Sequence, residues 1–329
     1  QREVFVDAVC PFPLVSTSRE RKCREDIQGA RDVALIQEGA SMRKAIAIVN
    51  TEKPESRRIA SEIRSELLAK NVSCDIYTFD GISDSNPFDA CDFVITLGGD
   101  GTVLYAARNC SRAGIPIFPI NLGEFGFIAG IQPGDWKAPL SAFLDGALRT
   151  SERMMLSARV ERNGSVVFSC DALNDAVISG SGIARIVHLS ISFDGVSFGS
   201  YKADGIIMAT PTGSTAYAAA AGGPILAPDL DAFVLAPICA FSLSNRPIVL
   251  PSTGIMAITV EPMRHESAII TLDGQEVFPL KEGDTVYIEK APRSALLIGC
   301  ETDVVYTALR SKLNWSGAPV VSDAGGSNA

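Results

Sequence analysis

The hydrophobic pattern of the chain changes period once, near residue 150. Before that point short apolar runs alternate with stretches whose apolar residues recur at helical spacing, and after it period-two alternation takes over. Residues 44–50 (KAIAIVN) predict a strand. A turn at Pro54 leads into a helix with Ile59, Ile63 and Leu67 four apart, widened by Ala60 and Leu68. Further strands are predicted at 75–79, 94–97 and 116–121, with a closing helix over 136–148. Strand and helix alternating in this way predict a doubly wound parallel sheet, an architecture that binds ligands at the carboxyl ends of its strands. Beyond Thr150, Asn163-Gly164 and Asp194-Gly195 read as hairpin turns between β-rich runs. Strands at 205–210, 256–260, 268–272 and 285–289 predict an antiparallel sandwich, interrupted by one short helical stretch near 214–221. A last helix is expected over 304–313.

This pattern divides the chain into an α/β domain over 42–150 and a β-rich domain over 151–300, with 301–315 returning to the first. Residues 1–41 lack periodicity, and Asp7, Pro11 and Pro13 interrupt any signal-peptide core, so an extension of unknown role, poorly ordered, is expected there. Residues 316–329 read as a small-residue, disordered tail. At 329 residues, 47% hydrophobic and 20% charged, the composition is that of a soluble globular protein, and no apolar run is long enough to span a bilayer. A net charge of −9 argues against nucleic acid as a partner and leaves a small anion, bound by helix ends and backbone amides, as the expected ligand. Eight cysteines without a C-x-x-C pair read as reduced, mostly buried thiols. The two histidines, His188 and His265, are too few for a histidine-rich zinc site and argue against a Ser-His-Asp triad.

The stretch with the most chemistry is LGGDGT at 97–102. An apolar strand enters a turn in which Gly98, Gly99 and Gly101 permit close ligand approach, and Thr102 is expected to begin a helix. Amides at such a helix start suit a phosphate. Asp100 is the misfit: it either caps the helix or takes part in proton transfer or metal chemistry. Neither the Walker pattern nor the dinucleotide fingerprint is present.

Four further pieces accompany it: NLGEFGF at 121–127, ALNDA at 172–176, ADGIIMATPTGSTAYAAAAGGPI at 203–225 and LDGQE at 272–276. Together with LGGDGT they resemble the NAD kinase family over nearly the whole chain apart from its ends. The resemblance implies transfer of the γ-phosphoryl group of ATP, or of polyphosphate, to the adenosine-ribose 2′-hydroxyl of NAD. It makes Asp100 the residue that engages that hydroxyl, with Gly98, Gly99 and Thr102 forming the phosphate-binding turn. It places Gly101, Asn174, Asp175, Arg185, Lys202, Asp204, Thr215, Ala216, Tyr217 and Gln275 at the dinucleotide and Phe127 in the pocket wall. Asp175 stands where the family has Glu, and Lys202 where Arg is common. A divalent metal, Mg²⁺ held mainly by nucleotide phosphates, a homodimer or homotetramer, and a cytoplasmic location are also implied. Two rivals share parts of the pattern: a lipid kinase of the diacylglycerol or sphingosine type, which uses the same glycine turn, and a sensor that binds NAD or NADP without turnover.

Overall fold

The computed structural model describes residues 42–79, 88–123, 126–182, 186–242, 245–262 and 268–313. The expectations for residues 1–41 and 316–329 and for Arg185 lie outside the described residues.

The first layer system is built from β1 (Arg43–Asn50), α1 (Pro54–Ala69), β2 (Val72–Phe79), β3 (Phe93–Gly98), α2 (Asp100–Cys110), β4 (Ile117–Asn121), α3 (Lys137–Leu144) and β5 (Thr150–Arg153). β1 pairs in parallel with both β2 and β3, and β3 with β4. One face of the sheet packs Ile95, Leu97 and Phe118 against Ile59, Ile63 and Leu67 of α1 and Leu140 of α3. The other face packs Ile46, Ile48 and Val94 against Val103, Leu104 and Ala107 of α2. Helices on both faces explain why the strands are nearly continuous apolar runs instead of alternating ones.

The second region consists of β6 (Leu156–Arg162), β7 (Ser165–Ala172), β8 (Asp175–Gly180), β9 (Val187–Phe193), β10 (Val196–Ala203), β11 (Gly205–Ala209), the single-turn α4 (Tyr217–Ala220), β12 (Ala232–Ile238) and β13 (Ile248–Pro251). It is completed by β14 (Met256–Val260), β15 (Ala268–Leu272), β16 (Glu276–Leu280) and β17 (Thr285–Lys290). These strands form two six-stranded antiparallel sheets, ordered β10-β9-β14-β17-β6-β7 and β13-β12-β11-β8-β15-β16. Their inner faces share one core that includes Leu156, Ile178, Ile191, Met208, Phe233, Met256, Ile270 and Ile288. Asn163 and Asp194 adopt the left-handed conformation (φ 52° and 50°), as two-residue hairpin turns demand.

β18 (Ala295–Ile298) then re-enters the first sheet, giving the order β2-β1-β3-β4-β18-β5, and α5 (Thr302–Leu313) follows it. β18 runs parallel to β4 and antiparallel to β5.

Three local expectations need correction. Helix α2 begins at Asp100 and not at Thr102, because extended Gly99 serves as its N-cap. The predicted closing helix ends at Leu144, where Gly146 takes a left-handed φ of 72°, a helix-stopping conformation. Leu68 is 66% exposed; the buried stripe of α1 turns instead toward Ser56, whose hydroxyl bonds the carbonyls of Asn50 and Lys53.

Candidate active site

In the strand order β2-β1-β3-β4 the direction of winding reverses between β1 and β3, and it is beyond the carboxyl ends of such a strand pair that an open α/β sheet places its ligand crevice. The turn after β1 and the LGGDGT turn after β3 meet there, since Val49 and Leu97 are register partners. A Cβ at Gly98 would run into the side chain of Thr102, whereas among the described residues nothing lies within 4 Å of where one at Gly99 would stand. Gly98 thus serves packing, and Gly99 borders open space. Thr102 is buried with its hydroxyl over Gly98.

Lys53 was not singled out from the sequence. It occupies the N-cap of α1, where the positive helix end disfavours a cation. Its Nζ stands 3.9 Å from where a Cβ of Gly123 would be, across the crevice mouth. Among the described residues no carboxylate forms a salt bridge with it. Its neighbour Pro54, at the first helical position, was the only local signal, and it marked a helix start and not a ligand site.

The carboxylate of Asp100 makes no cap bond to its own helix. It reaches across to a backbone segment in the turn after β4, accepting N–H bonds from Phe127 at 3.1 Å and from Ile128 and Ala129 at 3.4 Å each. Gly126 is required here because a Cβ would collide with that carboxylate. The capping alternative therefore fails. A carboxylate offers about four acceptor positions, so the three bonds it accepts from the described residues, two of them long, leave room for one more donor.

A second cleft, about 350 Å³, lies on the outer side of the β8-containing sheet and is lined by Asn174, Asp175, Ala216, Tyr217 and Gly274 among others. These five residues come from three separate sequence pieces, 172–176, 203–225 and 272–276. Gly213 packs directly on the backbone of Asn174, where a Cβ would overlap, and Thr210 N–H bonds the Asn174 carbonyl at 2.8 Å. The Oδ1 of Asn174 is buried and, among the described residues, has no hydrogen-bond partner, a buried acceptor that calls for an explanation. Burial, reinforced by the nearby Asp273 carboxylate, pushes the Asp175 carboxyl up to about 7.

The two sites are joined by side chains that the sequence did not reveal as a unit. Asp273, buried within the LDGQE turn, accepts N–H bonds from Leu173 (3.0 Å), Asn174 (2.7 Å) and Asp175 (3.3 Å). It also pairs at 3.1 Å with Arg108 on α2. Arg108 donates through Nη2 to Gln275 Oε1 at 2.5 Å, and Gln275 Nε2 donates to the Gly101 carbonyl at 2.8 Å. Arg108 lies two turns beyond Asp100, on the same helix.

The remaining expected residues are more dispersed. Thr215 and Phe127 border a separate, small cavity that also meets buried Arg153. Lys202 at the end of β10 and Asp204 after it are exposed and do not line the cleft. Among the described residues no three His, Cys, Asp or Glu side chains converge closely enough to hold a metal ion, and Asp100 is committed to backbone amides.

A backbone-held carboxylate beside a glycine turn at the switch point, linked through Gly101 and Gln275 to residues next to a cleft, fits a phosphotransferase that acts on a nucleotide-sized substrate. Comparison with known proteins gives the same class. The ATP-NAD kinase N-terminal domain matches residues 84–148 and the ATP-NAD kinase C-terminal domain residues 173–300. An NAD kinase of Treponema denticola is 50% identical over 278 residues, covering 84% of this chain and 98% of that protein. One of Treponema pallidum is 48% identical over 276 residues, covering 84% and 90%. The fold also matches yeast NADH kinase complexed with NADH (TM-score 0.76, 22% identity, 84% and 89% covered). It matches an NAD kinase from Archaeoglobus fulgidus in complex with ATP (TM-score 0.67, 25% identity, 82% and 98% covered). The chain belongs to the NAD kinase family. Its fold class, a doubly wound α/β unit joined to antiparallel β-sheets, is the one the sequence predicted.

Proposed function

We propose that this enzyme phosphorylates the adenosine-ribose 2′-hydroxyl of NAD with the γ-phosphoryl group of ATP, giving NADP and ADP. The observation that carries the reading is the geometry of Asp100: a fixed carboxylate that, counting bonds from the described residues, keeps one acceptor position, at the end of β3, beside the glycine turn. In the reaction a ribose oxygen forms a bond to the γ-phosphorus as the bond to the β,γ-bridging oxygen breaks. The hydroxyl proton passes to Asp100 and the electron pair leaves with ADP. Phosphoryl transfer demands mostly alignment and charge neutralisation, so one positioned acceptor and a set of amides suffice as protein groups.

NAD is assigned to the cleft, with Asn174 Oδ1 accepting from a ribose or adenine donor and Tyr217 and Ala216 against the adenosine. Asp175, one methylene shorter than the family's Glu, lines the same cleft, and Gly101 is tied through its carbonyl to Gln275, next to the cleft residue Gly274. Lys202, Asp204, Thr215 and Arg185 are retained as dinucleotide contacts on the strength of the family resemblance alone. The ATP phosphates are assigned to the crevice between β1 and β3, with Gly99 giving access and Lys53 supplying charge. Gly98 and Thr102 support that turn by packing against each other. Dependence on Mg²⁺ carried in by the nucleotide, assembly into a homodimer or homotetramer, and a cytoplasmic location belong to this proposal. No helix among the described residues is long and apolar enough to cross a membrane.

The test is a coupled assay for NADP from NAD, ATP and Mg²⁺, with polyphosphate as a parallel donor and diacylglycerol as a parallel acceptor. NADP formation is expected. Binding of NAD without turnover would convert the enzyme into the sensor, and phosphorylation of lipid alone would favour the lipid-kinase alternative.

A further inference from the structure

Gln275 sits where the family resemblance implies a dinucleotide contact, yet each end of its amide already has a protein partner that orients it: Oε1 accepts from Arg108 and Nε2 donates to the Gly101 carbonyl. Arg108 is divided in the same way. One terminal nitrogen neutralises Asp273, whose carboxylate gathers the amides of the Leu173–Asp175 turn, and the other holds Gln275. The side chain of Arg108 is only 6% exposed and that of Asp273 fully buried, so the network is shielded from competing water. Three of these links, Arg108 to Asp273, Arg108 to Gln275 and Gln275 to Gly101, join the Asp273–Gln275 turn to the helix that begins with Asp100.

We propose that the bridge Arg108–Gln275–Gly101 is a positioning device for phosphoryl transfer: it sets the placement of Asp100 relative to the NAD cleft, and Gln275 is a positioning residue and not a substrate ligand. The inference rests on the assignment of Asp100 and the cleft given above. It divides the work of Arg108. The Asp273 arm keeps the Asn174–Asp175 turn in its binding shape, while the Gln275 arm keeps the start of α2 at the distance that transfer needs. Small displacements of a reacting group cost rate far more than affinity. Glu276, 3.9 Å from the same Arg108 nitrogen, can hold the guanidinium charge but has no N–H to offer Gly101.

The experiment compares full-length wild type with Gln275→Leu, Gln275→Glu, Arg108→Lys and Arg108→Met, reading kcat, KM for NAD and for ATP, NAD dissociation constant and Tm. Both Gln275 variants lack the donor to Gly101 and are expected to lower kcat on the order of tenfold, with NAD affinity within about twofold of wild type. Arg108→Lys keeps a charge beside Asp273 but loses the fork, so it is expected to share the kcat loss while retaining NAD affinity. Arg108→Met is expected to lose both and to melt lower. Combining Gln275→Leu with Arg108→Lys is expected to be no worse in kcat than either alone, the signature of residues acting as one unit. If Gln275→Leu turns over like wild type, or if NAD affinity falls in parallel with kcat in the Gln275 variants, the positioning role is overturned. If Arg108→Met does not fold, Arg108→Lys and the Gln275 pair still decide the matter. A wild type that makes no NADP would overturn the functional reading instead, an outcome separate from these.

Discussion

At Asp100 the sequence left open whether the carboxylate capped a helix or did chemistry, and the structure resolves the first half of that question. The side chain turns away from its own helix toward the amides of Phe127, Ile128 and Ala129. Replacement by Asn would keep one acceptor oxygen but aim an NH₂ at donor amides, and it could not accept the hydroxyl proton. Turnover by Asp100→Asn is therefore expected to fall by a factor on the order of 10² or more, with the NAD dissociation constant changed only a few-fold; steady-state kinetics with equilibrium binding checks it. Asp175 offers a pH signature. Its carboxyl, at 3.8 when unfolded, is held up to about 7 in the fold by burial and by Asp273. A raised acid leaves its stabilising contribution intact below the unfolded value and loses it as pH rises through the folded one, here between about pH 4 and 7. Asp175→Asn is expected to be more stable than wild type at pH 8 by about 1–3 kcal/mol, with the gain vanishing near pH 4; melts across that range measure it. None of this was visible in the letters Asn-Asp, which by themselves describe a turn. Burial and the distance to a second carboxylate are tertiary quantities.

At the scale of elements, the sequence read types well and ends less well. Strong periodicity placed β1, α1, β3 and β4, because those residues face a core on one or both sides. Helix ends went astray where a glycine's neighbours, and not its identity, decided its role: Gly99 caps α2 and Gly146 stops α3. The turn before α1 hid Lys53, whose significance comes from Gly123 on another loop. Lys53→Met is expected to raise KM for ATP roughly five- to tenfold, as loss of one charge-assisted phosphate contact does, with KM for NAD nearly unchanged. Equal shifts for both substrates would remove Lys53 from the donor side. The turn before α4 depends on Gly213 lying against Asn174. Gly213→Ala must push that backbone aside and is expected to destabilise the fold by about 1–3 kcal/mol and to weaken NAD binding, both read by a melt in the presence and absence of NAD.

For the whole molecule, the topology predicts cooperativity between the chain's beginning and its end. β18 lies between β4 and β5 in the first sheet and comes from beyond the two antiparallel sheets. A fragment of residues 42–150 lacks that strand and leaves the β4 edge unpaired. It is expected to show no cooperative melt on its own and to be rapidly proteolysed; an independently folded fragment would contradict the discontinuous first domain.

The sequence by itself determined the class of fold, the change from doubly wound to antiparallel architecture, and the short pieces that mark the family. These follow from periodicity and local backbone demands, which are written within a few residues of one another. Only the tertiary structure decided which of those pieces touch: that Asp100 is gripped by the Phe127 segment, and that Arg108 ties it to the Asn174 turn through Asp273 and Gln275. Such contacts span up to about half the chain, from Gly101 to Gln275. A hydrogen bond across that separation leaves no periodic trace, since it depends on where two independently specified elements come to rest.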